Sequence, residues 1–179
     1  YFRLAFDSLF QVISVHTTTG FSSANSDQWP EFAKYVLILL MFIGGCSGST
    51  GGGIKVVRFL ALFKMLGAEI ERSFRPNVIR PCSVGGNPLS QLQKYSILTH
   101  VLIVFALVAF GTLSLFFFEG GRLDLVTAFT ACLASINNIG PGFSLVGVSQ
   151  NFGFFSDFSK IFLAFLMVVG RLEVFTVLA

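Results

Sequence analysis

Only one apolar run in this 179-residue chain is long enough to cross a bilayer without interruption. Ser96 to Phe118 supplies 23 residues, about 34 Å of helix against a hydrocarbon core about 30 Å thick. Three other apolar runs stop short at polar or glycine-rich turns. Leu4 to Val15 covers only about 18 Å as a helix. It leads into Thr17-Thr18-Thr19-Gly20-Phe21, and the chain then turns polar through Ser22, Ser23, Asn25, Ser26 and Asp27. A half-helix, a tight Thr/Gly turn and a polar exit describe a re-entrant loop. Irregular backbone at membrane depth survives only where protein buries it or where it lines a water-filled path.

The second interruption is larger. Trp29 and Pro30 suit a membrane interface and a first helical turn, and a helix is expected from Glu31 to Ile43. It must break at Gly44-Gly45-Cys46-Ser47-Gly48-Ser49-Thr50-Gly51-Gly52-Gly53, where six of ten residues are glycine, each costing a helix about 1 kcal/mol relative to Ala. Helix is expected to resume at Ile54-Lys55 and run to about Leu66, giving one membrane crossing interrupted near its middle. Residues 67–93 form a polar linker. From Lys55 to Lys94 seven basic residues (Lys55, Arg58, Lys64, Arg72, Arg75, Arg80, Lys94) face only Glu69 and Glu71, which places this side in the cytoplasm. After the uninterrupted span, Leu123 to Ile136 is again too short to cross. It ends in Asn137-Asn138-Ile139-Gly140-Pro141-Gly142-Phe143-Ser144, and a last helix runs from about Phe158 to Ala179.

This order repeats. Short helix, glycine turn, polar exit and long helix occur at 4–66 and again at 123–179, with Gly20 and Gly140 120 positions apart. One full span plus one re-entrant loop separates the copies, so both have the same orientation. They would be related by an axis along the membrane normal, where a pore belongs. The fold expected is all-α and integral to the membrane, with repeated helix–pore helix/filter loop–helix units around a central pore and one Gly-broken membrane helix. The units divide as 1–66, a cytoplasmic linker 67–93, and 94–179. Tyr1 and the immediate half-helix suggest a piece of a longer chain.

Composition excludes most other classes. The chain is 54% hydrophobic and 12% charged, against roughly a quarter charged for soluble domains. Cys46, Cys82 and Cys132 lie far apart, and His16 and His100 are isolated, so no zinc or disulfide framework is supported. An enzyme would need converging carboxylates, a metal set or a nucleophile with a base, and the apolar segments hold none. Gly48 to Lys55 superficially resembles a phosphate loop, but Ile54 separates the glycines from Lys55, and Val56 stands where Ser or Thr is required.

The remaining chemistry favours a monovalent cation. A short helix ending at mid-membrane presents about half a negative charge, and the following turn supplies carbonyl oxygens. Gly20 and Gly140, or Gly142, permit positive φ and leave the passage open. Thr17, Thr18 and Thr19 add hydroxyls, and Asn137 and Asn138 add amides. With no carboxylate in either turn, carbonyl coordination fits better than an acidic ring. The loop Gly44 to Gly53, with Gly45, Gly48, Gly51 and Gly52, is a candidate gate below the turns. Arg171 lies in the last apolar helix, where an ionisable residue is costly. It either snorkels to the cytoplasmic interface or faces inward against that loop. Lys55 carries the same ambiguity, leaning to the interface.

The runs FIGGCSGSTGGGIKVVR (42–58), TTTGF (17–21), NNIGPGFS (137–144) and GRLEVFTVL (170–178) together resemble the TrkH/TrkG members of the Trk/Ktr/HKT potassium transporter superfamily. The resemblance covers essentially the whole chain. It implies four repeats around a pore, of which this chain would supply the third from its pore helix onward and all of the fourth. It implies a filter at Thr18, Thr19, Gly20, Asn138, Ile139 and Gly140 or Gly142, with K+ as the transported ion and no cofactor. It further implies a gate at Gly44 to Gly53 with Lys55 and Arg171 beside it, and His16 departs from the pattern. The partners implied are a cytoplasmic nucleotide-binding regulator of TrkA type, a second pore subunit and membrane lipid, with no nucleic acid. The location implied is the bacterial inner membrane. The alternative is a secondary transporter of another monovalent cation or a small solute.

Overall fold

The computed structural model describes residues 2–46, 48–49, 51–75 and 83–172. Arg80, Cys82, Glu173 and the expected end of the last helix at Ala179 lie outside the described residues. The described chain is mostly helical: α1 Phe2–His16, α2 Glu31–Phe42, α3 Val56–Phe74, α4 Gln91–Glu119, α5 Leu125–Ile136 and α6 Asp157–Arg171. Two short strand pairs complete it, β1 Ile43–Gly44 with β2 Ile54–Lys55 and β3 Ser83–Val84 with β4 Asn87–Pro88.

The helix ends follow local chemistry. The Ser90 side chain accepts from the Gln93 N–H while Gln93 reaches back to the Ser90 N–H, a reciprocal cap that starts α4. Gly120 ends α4 in the left-handed region at φ 60°, where a residue with no Cβ carries no steric penalty. Ser156 caps α6 by accepting from the Ser159 N–H. Among the described residues α4 alone is long and apolar enough to cross a membrane, and α5 is a shorter apolar helix. Only a third of the apolar window of α4 is covered by protein, and Phe117 on it is 84% exposed. Such a helix requires an apolar surrounding.

Two expectations need correction. Ile54 and Lys55 do not open the resumed helix: they form β2, which pairs in parallel with β1 as Ile43↔Ile54 and Gly44↔Lys55. A Cβ on Gly44 would overlap the Gly52 carbonyl oxygen, so this pairing needs glycine there. Because β1 and β2 run the same way, the chain leaves the loop in the direction in which it entered it. The second correction concerns length: α3 runs on to Phe74, so the stretch read as the start of the linker is helix.

The core is built around α5. Thr127, Ala128 and Thr130 to Ile136 are all buried, enclosed mainly by α4 and α6. Gly111 of α4 allows the close approach, since a Cβ there would stand 3.0 Å from Cys132 Sγ and 3.2 Å from Leu166 Cδ1. A buried helix of 12 residues ends well inside the structure, and its C-terminus defines the candidate site.

Candidate functional site

The helices α1 and α5 end in the same way, 120 positions apart. After α1, the Thr18 N–H donates to the Val15 carbonyl (3.1 Å) and the Thr19 N–H to the Ser14 carbonyl (2.9 Å). After α5, the Asn138 N–H donates to the Ser135 carbonyl (3.2 Å) and the Ile139 N–H to the Ala134 carbonyl (2.9 Å). This pair of bonds is the Schellman ending, which requires a left-handed residue just beyond the helix. Thr18 and Asn138 fill that position, each at φ 55°. For a β-branched residue such as Thr this conformation is an outlier, held here by both bonds. Gly20 (φ 77°) and Gly140 (φ 105°) are also left-handed. Positive φ therefore alternates with ordinary φ along Thr18-Thr19-Gly20 and along Asn138-Ile139-Gly140.

The pattern aligns Gly140, rather than Gly142, with Gly20. Gly142 serves another purpose: its N–H donates to the Val146 carbonyl (2.8 Å), and a Cβ there would stand 2.9 Å from Thr130 Oγ1. The two turns meet. A Cβ on Gly20 would overlap the Ile139 carbonyl oxygen and stand 3.2 Å from Pro141 Cδ, whereas one on Gly140 would meet nothing within 4 Å. Thr17 Oγ1 donates to the Ile13 carbonyl (2.7 Å) and lies 2.8 Å from Thr19 Oγ1. Thr17 has already spent its proton, so Thr19 donates to Thr17 and keeps its lone pairs for another partner.

The side-chain amides are not offered to that space as the sequence suggested. Asn138 Nδ2 donates to the Met167 carbonyl of α6 (3.2 Å). Asn137 is 0% exposed, and neither its Nδ2 nor its Oδ1 has a hydrogen-bond partner. Its Oδ1 lies 3.3 Å from where a Cβ on Gly53 would stand. An unmade buried hydrogen bond costs about 1–3 kcal/mol. Asn137→Leu keeps the branching of the side chain and removes both unmet groups, so it should raise the unfolding free energy by up to that amount, less the strain of its bulkier methyl groups, and denaturant unfolding of the purified protein measures it.

The glycine-rich loop lies against both turns. A Cβ on Gly51 would stand 2.9 Å from Thr18 Oγ1 and 3.7 Å from the Thr17 carbonyl oxygen, and one on Gly52 would overlap the Asn137 carbonyl oxygen. Only residues without a side chain can approach both helix ends this closely. Gly45 is close-packed against Ser49, while Gly48 stands in open space at φ 87°. Lys55 lies outside its expected place at the interface: it is 7% exposed, and its Nζ donates to the Ser49 carbonyl (2.6 Å) and the Gly51 carbonyl (2.7 Å). It pins the loop from within. His16, the last residue of α1, ties the same region together, with Nδ1 3.1 Å from the Ile43 carbonyl oxygen. Nothing in the sequence pattern signals that bond.

Arg171 is the last residue of α6 and is exposed. Among the described residues no hydrogen bond or ion pair joins it to the loop. Its neighbour Gly170 makes the close contact, since a Cβ there would overlap the Ile136 carbonyl oxygen at the end of α5. No group of His, Cys, Asp and Glu able to hold a metal ion occurs among the described residues.

The chain has known relatives. The sequence model of TrkH, described as a cation transport protein, matches residues 3–179. The Trk system potassium uptake protein TrkH of Vibrio parahaemolyticus is 38% identical over 178 residues, covering 97% of this chain and 35% of that protein. TrkH of Escherichia coli K12 is 37% identical, covering 96% of this chain and 34% of that protein. The crystal structure of the potassium transporter TrkH from Vibrio parahaemolyticus superposes with a TM-score of 0.85 at 36% identity, over 96% of this chain and 36% of that one. The chain thus spans about a third of the length of the curated relatives it matches.

Proposed function

The chain belongs to the TrkH family of cation transport proteins, and on that premise we propose that it forms part of a potassium-uptake pore in the bacterial inner membrane. Potassium exchanges its hydration water for backbone oxygens at two turns, Thr18-Thr19-Gly20 and Asn138-Ile139-Gly140. The observation that carries this reading is the meeting of two half-length helices with matching Schellman ends, with Gly20 seated against the Ile139 carbonyl. Alternating the sign of φ turns successive carbonyls to the same side of the chain. That is what a row of coordinating oxygens needs. Two helix C-termini aimed at one place add negative potential there. The two halves are then pore repeats about an axis along the membrane normal.

In the same reading, Gly44 to Gly53 is the gate. Its contact with both helix ends blocks the inner mouth, and Lys55 holds it closed while placing a positive charge below the oxygens. Arg171 lies on the exit side. A cytoplasmic nucleotide-binding regulator of TrkA type controls the gate, residues 67–93 belong to the cytoplasmic face, and two pore subunits pair in the membrane. The test is tracer rubidium uptake by the full-length protein in cells lacking other potassium-uptake systems. Unlabelled potassium should compete strongly, and amino acids and sugars should not. Competition by an organic solute with none by potassium would overturn the reading.

A further inference from the structure

In the polar segment that follows the first turn, Asp27 reaches across to the other half of the chain. Its Oδ1 accepts from the Ser144 N–H at 2.9 Å, 117 positions away. Ser144 opens the 3-10 turn Ser144–Val146, whose N-cap, Phe143, makes no side-chain cap bond. Asp27 thus supplies the cap that a Phe cannot. It also holds Ser144 in the left-handed region, at φ 63°. The other oxygen, Oδ2, occupies the place where a Cβ on Gly147 would stand.

Both ends of this bridge are fastened to the turns. On one side, the Val146 carbonyl of the 3-10 turn accepts from the Gly142 N–H at 2.8 Å, two positions beyond Gly140. On the other, the Asp27 N–H is held by Asn25 Oδ1 at 3.1 Å, and Ser22 Oγ is anchored on Gln11 Oε1 of α1 at 2.8 Å. Among the described residues no Lys or Arg side chain pairs with the carboxylate.

We propose that Asp27 is a positioning residue that sets the separation of the two turns and so determines selectivity among monovalent cations. It acts as a hydrogen-bond acceptor for Ser144 rather than as a charge that collects cations. The inference rests on the reading of the two turns as a filter. Coordinating groups must be held to about 0.5 Å to discriminate, and this bridge is built to do that.

The experiment measures rubidium and sodium flux through the reconstituted full-length protein, scaled to inserted protein. Asp27→Ala should reduce the rubidium preference about tenfold or more. Asp27→Asn keeps an acceptor oxygen and should stay within about threefold of the parent, losing only charge assistance. Gly147→Ala, whose Cβ would expel Oδ2, should mimic Asp27→Ala, and the double variant should be no worse than either single one. If Asp27→Asn is as impaired as Asp27→Ala, charge is what matters and the proposal fails. It fails equally if both match the parent while Gly20→Ala loses selectivity. If Gly20→Ala also matches the parent, the filter reading itself falls and takes the proposal with it.

Discussion

Gly20→Ala should reduce the preference for potassium over sodium about a hundredfold in the full-length protein, the combined effect of misplaced oxygens in two turns. Two physical effects act together. Gly20 sits at φ 77°, and a left-handed conformation costs an L-residue about 1–2 kcal/mol. The added Cβ would also overlap the Ile139 carbonyl oxygen. That contact is backbone on backbone, so no side-chain rotation relieves it and one turn must retreat from the other. Gly140→Ala supplies the comparison: its φ is 105°, but its Cβ would meet nothing within 4 Å. It should be measurably less damaging than Gly20→Ala. Parallel flux measurements with rubidium and sodium, scaled to the amount of inserted protein, read the order directly. Equal damage from both would mean that the contact between the turns is irrelevant to selectivity.

Lys55→Met should raise basal rubidium flux about tenfold or more without the regulator present, because hydrogen bonds to a charged donor contribute about 1.5–3 kcal/mol each. The Nζ group donates to the Ser49 and Gly51 carbonyls, the same loop whose glycines press on both helix ends. Methionine matches the aliphatic stem and removes both bonds. It also removes a positive charge from beside the proposed filter, and for a cation that lowers the barrier in the same direction. Lys55→Arg should fall between the two, since a guanidinium spreads its donors over a plane and fits a site shaped for a compact ammonium poorly. Reconstituted vesicles without any cytoplasmic partner isolate this effect. A fall in flux at unchanged protein level would show that Lys55 holds the path open instead of closed.

The sequence was informative where backbone conformation and side-chain identity are tied. A triple Thr before Gly20, and two glycines around Pro141, announced turns at helix ends because little else tolerates positive φ. The choice between Gly140 and Gly142 could not be made from residue type, since both are glycine and both are required. One is needed for its left-handed φ, the other for its contact with Thr130. The place of Lys55 was left open between interface and loop for a different reason. Hydropathy treats a lysine at the start of an apolar run as interfacial, and only the folding-back of the loop surrounds it with carbonyls. The parallel pairing of Ile43 with Ile54 was equally hidden, because two-residue strands carry no period. The Asp27 bridge to Ser144 joins positions 117 apart, and nothing local to either residue reports it. The left-handed state of Thr18 was hidden too, being imposed by the Schellman bonds against the preference of the side chain.

The proposed filter requires the two turns to coordinate a dehydrated monovalent cation jointly. The most direct measurement is the anomalous density of rubidium in crystals of the full-length protein grown in rubidium and without potassium. A peak is expected between the turns, about 3 Å from backbone oxygens of both Thr18-Thr19-Gly20 and Asn138-Ile139-Gly140. Rubidium bound only elsewhere, with no density between Gly20 and Gly140, would contradict it.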